Sequence, residues 1–345
     1  MGSKKNYPYL TFLRVIAIFS VVAIHTICTP ISSFPENYSD AEIKLSVFFT
    51  TFFRLYAVPI FLMISGSLFL DPEKNISYKD ILSKYFFRII ICLIVFSLLF
   101  CFMESMFLYG KLDIQIILTT IRNAIEGNSW AHMWYLYMLS GLYLLIPLLK
   151  VFINNANDND VLYIFIVLLI FIVIFPSITS ITGIKIGVYL PISSVWLFYF
   201  ILGYMIHSKR VNISMTWSIV LIVIPIMYSA IGIFIPNFIS VMNAELKFTK
   251  PDELFSVMMS TGVFSFFSKI YAKENTKFIE LMASLSFGIY LIHNIFINIF
   301  YKVLKLTPKK LNMFFMWIIV YISTLLLSSL FVWLMRRIKV IRKII

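Results

Sequence analysis

The chain has 345 residues, of which 61% are apolar and only 13% charged, and its mean hydropathy is +0.93. Soluble domains carry roughly 25% charged residues, so this composition excludes an ordinary soluble protein and indicates one that crosses a membrane several times. The net charge of +13 does not indicate nucleic acid as a partner, because the basic residues stand beside apolar runs, as membrane topology requires.

The apolar runs predict an all-α polytopic membrane protein with about ten transmembrane helices. Runs near 20 residues long alternate with polar, turn-rich connections, and no part of the chain is left over for a separate soluble domain. We therefore expect a single integral-membrane domain over residues 1–345. The predicted helices are 9–28, 45–70, 82–108, 130–153, 161–180, 191–207, 214–234, 253–272, 278–301 and 312–335.

Two further features complete the predicted architecture. Segment 111–126 mixes charged and apolar residues, which indicates an amphipathic helix at the membrane interface and not a span. If the N-terminus is placed in the cytoplasm, Lys and Arg are more frequent in the connections on the cytoplasmic side than in those on the other side. This predicts that the N- and C-termini are both cytoplasmic.

The three cysteines, Cys28, Cys92 and Cys101, have neither CxxC nor zinc-site spacing, so we expect no metal site.

The first predicted helix carries an arginine and a histidine on one face. Arg14 and His25 are separated by three helical turns plus about 20°, or about 16 Å along the axis. A lipid-facing arginine would cost several kcal/mol, so this face is expected to line the bundle interior or a polar cavity.

Polar residues at similar predicted depth indicate a site near the outer side of the membrane. With the topology above, one histidine or charged residue from each of five helices falls in the outer half of the bilayer. These residues are His25, Arg54, Glu104, His132 and His293. Each alone is more often structural, but their shared depth favours a functional site.

Basic residues gather near the inner side. Arg14, Lys84 and Arg88 lie there, and the two arginines interrupt apolar runs, which the general excess of positive charge in cytoplasmic loops does not explain. A cationic pocket open to the cytosol would suit the phosphates of a nucleotide-like donor.

An ordered set of short motifs resembles the acyltransferase-3 family, the integral-membrane enzymes that O-acylate bacterial surface glycans. The motifs run over nearly the whole chain, and the set is specific although each piece alone is weak. They are Leu13-Arg14 leading to His25, Val58 to Ser65-Gly66, Phe87-Arg88, His132-Met-Trp134, Tyr143 to Pro147, Phe200 to Gly203-Tyr204, and Ser286 to Tyr290 and His293.

The resemblance implies a ten-helix membrane enzyme of the bacterial plasma membrane. The expected reaction is transfer of a short acyl group, with acetyl favoured, from cytosolic acyl-CoA to a hydroxyl of an extracytoplasmic or lipid-linked glycan. Acyl-CoA is then a donor substrate, and no permanently bound cofactor is expected. Membrane lipid, the glycan acceptor and glycan-synthesis proteins are the expected partners.

The resemblance also makes Arg14 and His25 the essential pair. Histidine has a suitable pKa to take a proton from a sugar hydroxyl, so His25 is expected to act as general base or transient acyl acceptor. His293 or Glu104 would orient it or shuttle the proton. Tyr290, one turn before His293, would hydrogen-bond the thioester carbonyl or the acceptor.

Binding roles are assigned to the remaining candidates. Arg14, Arg88 and Lys84 would hold the phosphates of CoA. The residues expected to contact the acceptor are Arg54, His132 and Trp134.

Other interpretations remain open. His293 and Tyr290 could serve packing alone, and His132 beside its tryptophans could belong to an aromatic belt. The chain could instead be a transporter or flippase of glycan intermediates without chemistry, or a membrane acyltransferase of another class, acting on lipids or proteins. The sequence leaves open the acceptor, the acyl group, the choice between an acyl-histidine and direct transfer, and the oligomeric state.

Overall fold

Throughout the residues that this computed structural model describes, all regular structure is helical. The described residues are 7–74, 76–110, 114–184, 186–188, 190, 194–235, 250–271, 274–308 and 311–345. Residues 111–113 of the predicted interfacial segment, the start of the predicted helix 191–207 and residue 272 of the predicted helix 253–272 lie outside them.

Fourteen helices in the described residues are numbered here in chain order. They are α1 Pro8–Ser33, α2 Asp40–Arg54, α3 Ala57–Phe69, α4 Phe87–Tyr109, α5 Ile114–Glu126, α6 Trp134–Asn155, α7 Asp158–Leu169, α8 Phe175–Thr182, α9 Val195–His207, α10 Met215–Phe234, α11 Leu254–Ile270, α12 Lys277–Asn298, α13 Met313–Met335 and α14 Lys339–Ile344. Short helical turns adjoin them. They are one α-helical turn, Tyr78–Asp80; two 3-10 turns, Pro35–Asn37 and Ala131–Met133; and three π-helical turns, Ile81–Phe86, Ile170–Ile174 and Ile299–Val303.

The predicted multi-pass membrane architecture is confirmed. In the described part of the chain, eight helical stretches are long and apolar enough to cross a membrane, and the two shorter apolar helices α9 and α11 fall where further spans were predicted. The structure carries no information on which side the termini face, so their cytoplasmic location stays a prediction.

The second predicted helix, 45–70, differs from the structure at its start and in its middle. It begins five residues earlier, at Asp40, because Ser39 and Glu42 form a reciprocal capping box that satisfies free backbone N–H groups of the first turn. It is also broken at Leu55 and Tyr56, which separate α2 from α3. Pro59 accounts for the break, because it has no N–H to donate to the carbonyl of Leu55, four residues earlier.

The interfacial segment is a helix of its own. α5 is separated from α6 by a turn and the 3-10 turn Ala131–Met133, and its outward residues include exposed Ile114, Leu118 and Ile125. Arg122 and Glu126 form an exposed ion pair one turn apart along it. An apolar stripe beside charged residues fits the predicted amphipathic helix.

The chain divides into two compact units. Unit 1 comprises Met1–Asp71 and Ala156–Phe331, and unit 2 comprises Pro72–Asn155 and Val332–Ile345. The prediction of one integral-membrane domain stays a prediction. The units are described separately below.

The tightest helix crossing in unit 1 joins α3 to α9 through two glycines. A Cβ atom added to Gly66 would lie 1.7 Å from the Phe200 carbonyl oxygen, and one added to Gly203 would lie 2.1 Å from the Met63 carbonyl oxygen. Ser67 Oγ donates a hydrogen bond across the crossing to Gly203 O at 2.9 Å. Small residues let two membrane helices approach until their backbones touch.

Helices α1 and α12 of unit 1 run parallel and pack along their length. At their first turns the Asn275 side-chain nitrogen donates to Pro8 O at 3.1 Å, and near their far ends the Tyr301 hydroxyl donates to Thr26 O at 2.9 Å. This arrangement keeps residues of equal depth on the two helices side by side.

Unit 2 is built on α4, which packs against α5, α6 and the C-terminal helix α14. The side chain of Arg88 donates through Nε to Ile344 O at 2.7 Å, and Cys92 Sγ donates to the same oxygen at 3.3 Å. These bonds hold the C-terminal segment against the first turns of α4.

Candidate functional site

Two of the predicted site histidines meet in unit 1. The imidazole rings of His25 on α1 and His293 on α12 have centroids 5.1 Å apart and are tilted by 52°. His25 is half-buried and His293 fully buried. His25 therefore faces α12 and lies beside His293, and its role in a functional site stays a prediction. His25 lies about 26 Å along α1 from Pro8, close to the thickness of a bilayer core of about 30 Å.

The hydrogen bonds of His293 fix its tautomer. Its Nδ1 lies 2.7 Å from Tyr290 O and 3.1 Å from Ile289 O. Carbonyl oxygens only accept hydrogen bonds, so Nδ1 carries the hydrogen and, in the neutral ring, the lone pair is on Nε2. A buried imidazole held in one tautomer can accept a proton at a defined atom, which is what proton transfer beside His25 would need.

Tyr290 and Arg54 are also placed near this pair. The Tyr290 ring centroid lies 6.1 Å from that of His293, and its side chain is buried. Arg54 is the last residue of α2, just before the helix break, and its exposed guanidinium lies within electrostatic range of Cys28 on α1. Since Cys28 is three residues after His25, unit 1 brings Arg54 to the part of α1 that carries the histidine.

The opposite end of α1 carries Arg14 and a second histidine contact. Arg14 is half-buried between Leu13 and Val15, which are both buried. One turn before it, the Tyr9 hydroxyl is hydrogen-bonded to His207 Nδ1 at 2.5 Å. His207 therefore helps to fix the first turn of α1 against the end of α9.

The remaining candidates belong to unit 2. His132 is buried, with its ring centroid 5.4 Å from Phe100, and Phe100 stacks on Trp130 at 4.4 Å. His132 therefore lies among aromatic rings inside unit 2, and its membership of an aromatic belt at the membrane interface stays a prediction. Trp134 and Glu104 are exposed. The roles of these residues in acceptor binding and proton transfer stay predictions.

The basic candidates of unit 2 have different surroundings. Lys84 is exposed and pairs with Asp80 at 2.6 Å, so it would have to leave this carboxylate to bind a phosphate. Arg88 is one of the charges that act on Arg336, whose pKa is lowered by burial and by the charges of Arg342 and Arg88. The joint role of Arg14 and Arg88 in holding CoA stays a prediction.

Comparison with known proteins assigns the chain to a family. The family model described as an acyltransferase domain, of the acyltransferase-3 type, matches residues 7–333. The chain belongs to the acyltransferase-3 family. It is therefore a multi-pass membrane acyltransferase, and the resemblance drawn from the short motifs is confirmed. Searches of curated proteins and of solved structures found no significant match.

Family membership implies an acyl donor and an acyl acceptor, and it favours an enzyme over the transporter alternative. An acyltransferase must activate a nucleophile, commonly with a general base. In unit 1 of this acyltransferase, the paired imidazoles of His25 and His293 have the chemistry to do so.

One residue beside the pair was missed by sequence reasoning. Tyr301 is fully buried, and its hydroxyl bonds to the backbone of Thr26, the residue after His25. The only signal in the sequence is Pro30, which removes the regular helix donor to the Thr26 carbonyl. The sequence does not show which side chain replaces that donor.

Proposed function

We propose that this protein transfers a short acyl group from cytosolic acyl-CoA to a hydroxyl of an extracytoplasmic or lipid-linked glycan, and acetyl is the acyl group we favour. The single observation that supports this most is the pairing of His25 with His293 far along α1 from its N-terminal end. With the termini in the cytoplasm, the imidazoles lie near the outer surface, where a glycan hydroxyl could reach them.

His25 acts as the general base. It takes the proton of the acceptor hydroxyl as that oxygen forms a bond to the acyl carbon. The carbon–sulfur bond then breaks, and the proton passes from the imidazolium to the departing thiolate, so that CoA leaves as the thiol. His293 Nε2 carries the lone pair that can share the proton, because the hydrogen of the neutral ring is on Nδ1 and is donated to the backbone of α12.

Arg14 holds the charged part of the donor. It lies on the same face of α1 as His25 and about 16 Å from it, which leaves room for the long, flexible pantetheine arm between a bound phosphate and the reacting thioester. A guanidinium is suited to phosphate because it donates two parallel hydrogen bonds. Arg88 and Lys84 are the predicted further phosphate ligands.

Arg54 binds the acceptor. Its guanidinium is exposed at the broken end of α2 and close to the His25 part of α1, so it can hydrogen-bond sugar oxygens there. Glu104, His132, Trp134 and Tyr290 are the other predicted contacts of the acceptor or the reacting atoms.

The proposal is tested with radiolabelled acetyl-CoA supplied to one face of oriented proteoliposomes. We expect label to reach a glycan acceptor enclosed on the other face with wild-type protein, and transfer to fall by at least about a hundredfold with His25→Ala. Cys28→Ala, one turn further along α1, is the matched control and should keep the wild-type rate. Equal transfer by the His25→Ala variant would exclude the proposed base.

A further inference from the structure

The carbonyl group next to His25 lacks its usual partner. In a regular helix the Thr26 carbonyl would accept a hydrogen bond from the N–H of residue 30, but residue 30 of α1 is proline, which has none. Thr26 is buried, where an unsatisfied backbone carbonyl is costly. The helix is also weakened at this point, since proline is a common site of helix bending.

The missing donor is replaced by a side chain from α12. The Tyr301 hydroxyl donates to Thr26 O at 2.9 Å, and Tyr301 is fully buried. Its ring packs in an apolar cluster with Ile27 of α1 and Ile297 of α12. The bond therefore joins α12 to the α1 backbone at the residue that follows His25.

The stretch of chain that carries Tyr301 also carries His293. His293, Ile297 and Tyr301 follow one another at intervals of four residues, and all three are fully buried. Tyr301 lies in the π-helical turn Ile299–Val303, which continues α12. In a regular helix, residues four apart drift slowly around the axis, and the wider π-helical turn reduces this drift. One face of α12 and its continuation thus holds both the second imidazole and the hydroxyl that fixes α1.

We propose that Tyr301 is a positioning residue, whose hydroxyl sets the separation of the His25 and His293 imidazoles by fixing the Pro30-weakened end of α1. The chemical consequence rests on the catalytic function proposed above. Without the bond, Thr26 is no longer tied to the turn that follows α12, so His25, the residue before it, can shift relative to His293 and the two rings lose their alignment.

Tyr321 provides a matched comparison. Its hydroxyl also donates to a carbonyl of α1, that of Phe19 at 3.3 Å. Residue 23, four positions on, is alanine, so Phe19 O keeps its regular helix donor and the tyrosine bond is supplementary. Loss of the Tyr321 hydroxyl should therefore leave α1 in place.

The first test measures how closely α1 and α12 approach each other at positions 25 and 293, and it does not depend on enzyme activity. Cysteines replace His25 and His293 in a background in which Cys28, Cys92 and Cys101 are alanine, and the rate of disulfide formation is followed. We expect Tyr301→Phe to slow this rate on the order of tenfold, and Tyr321→Phe to leave it within about twofold. An unchanged rate with Tyr301→Phe overturns the proposal, whatever the outcome for catalysis.

The second test is rescue. Pro30→Ala restores an N–H that can donate to Thr26 O, so the Tyr301→Phe/Pro30→Ala double variant should recover the crosslinking rate of the parent. In the native-histidine protein, Tyr301→Phe should lower kcat for acyl transfer on the order of tenfold with little change in the KM for acetyl-CoA, and Pro30→Ala should reverse this loss.

The results separate the two proposals. Slower crosslinking that Pro30→Ala reverses supports the positioning role even if His25→Ala keeps full activity, in which case only the catalytic function fails. Slower crosslinking that Pro30→Ala does not reverse would show that Tyr301 acts through packing and not through the Thr26 carbonyl, and would contradict the proposal.

Discussion

Replacing Gly66 with alanine should separate α3 from α9 and destabilise unit 1. The new Cβ would lie 1.7 Å from Phe200 O, whereas such atoms essentially never approach within 3.0 Å, so the helices must move apart by roughly 1 Å or more. Overpacking of this kind costs about 1–3 kcal/mol, and strain on the Ser67–Gly203 hydrogen bond adds about 0.6 kcal/mol. We expect the free energy of unfolding to fall by about 1.5–3.5 kcal/mol.

The assay is reversible unfolding in mixed detergent micelles, with Gly141→Ala as the matched control. Gly141 lies within α6, and nothing is within 4 Å of the position a Cβ would occupy. Alanine there should leave stability unchanged or raise it by about 0.5–1 kcal/mol, because alanine favours the helix. The reasoning is refuted if the Gly66→Ala variant is as stable as the Gly141→Ala variant.

Two further predictions concern the start of α2 and the second imidazole. Ser39→Ala removes the capping box and should lower the free energy of unfolding by about 1 kcal/mol. The control, Ser32→Ala, deletes an exposed hydroxyl bonded to Cys28 O and should change the free energy of unfolding by only a few tenths of a kcal/mol. Equal effects of the two substitutions would argue against the cap. His293→Asn keeps a donor for Tyr290 O but lacks Nε2, so acetyl transfer should fall at least about tenfold while the melting temperature stays near that of wild type. Full activity of that variant would remove His293 from proton transfer.

Much of the fold follows from the sequence because the bilayer restricts the choices. A run of apolar residues must be helical in lipid, so hydropathy is enough to locate the spans. Neither the break at Leu55 and Tyr56, which precedes Pro59, nor the π-helical turn around Tyr301 interrupts the run of apolar residues for long enough to end a predicted span. Sequence patterns that depend on hydropathy alone therefore miss them.

The histidine pair was predictable, and its supports were not. An ionisable residue inside a membrane span indicates function, and equal depth on two helices brings His25 together with His293. By contrast, a proline inside α1 indicates only that a carbonyl lacks its helix donor. Identifying Tyr301 as the replacement requires knowing that α1 and α12 are neighbours in the fold, which depends on contacts between residues 275 positions apart.

The measurement that tests the account most directly is release of the CoA thiol from acetyl-CoA by purified protein in proteoliposomes that contain glycan acceptor. The account predicts release by wild type and by Cys28→Ala, and release reduced to background by His25→Ala. Wild-type rates from the His25→Ala variant, with its fold intact by thermal unfolding, would contradict the claim that the paired imidazoles carry the transfer.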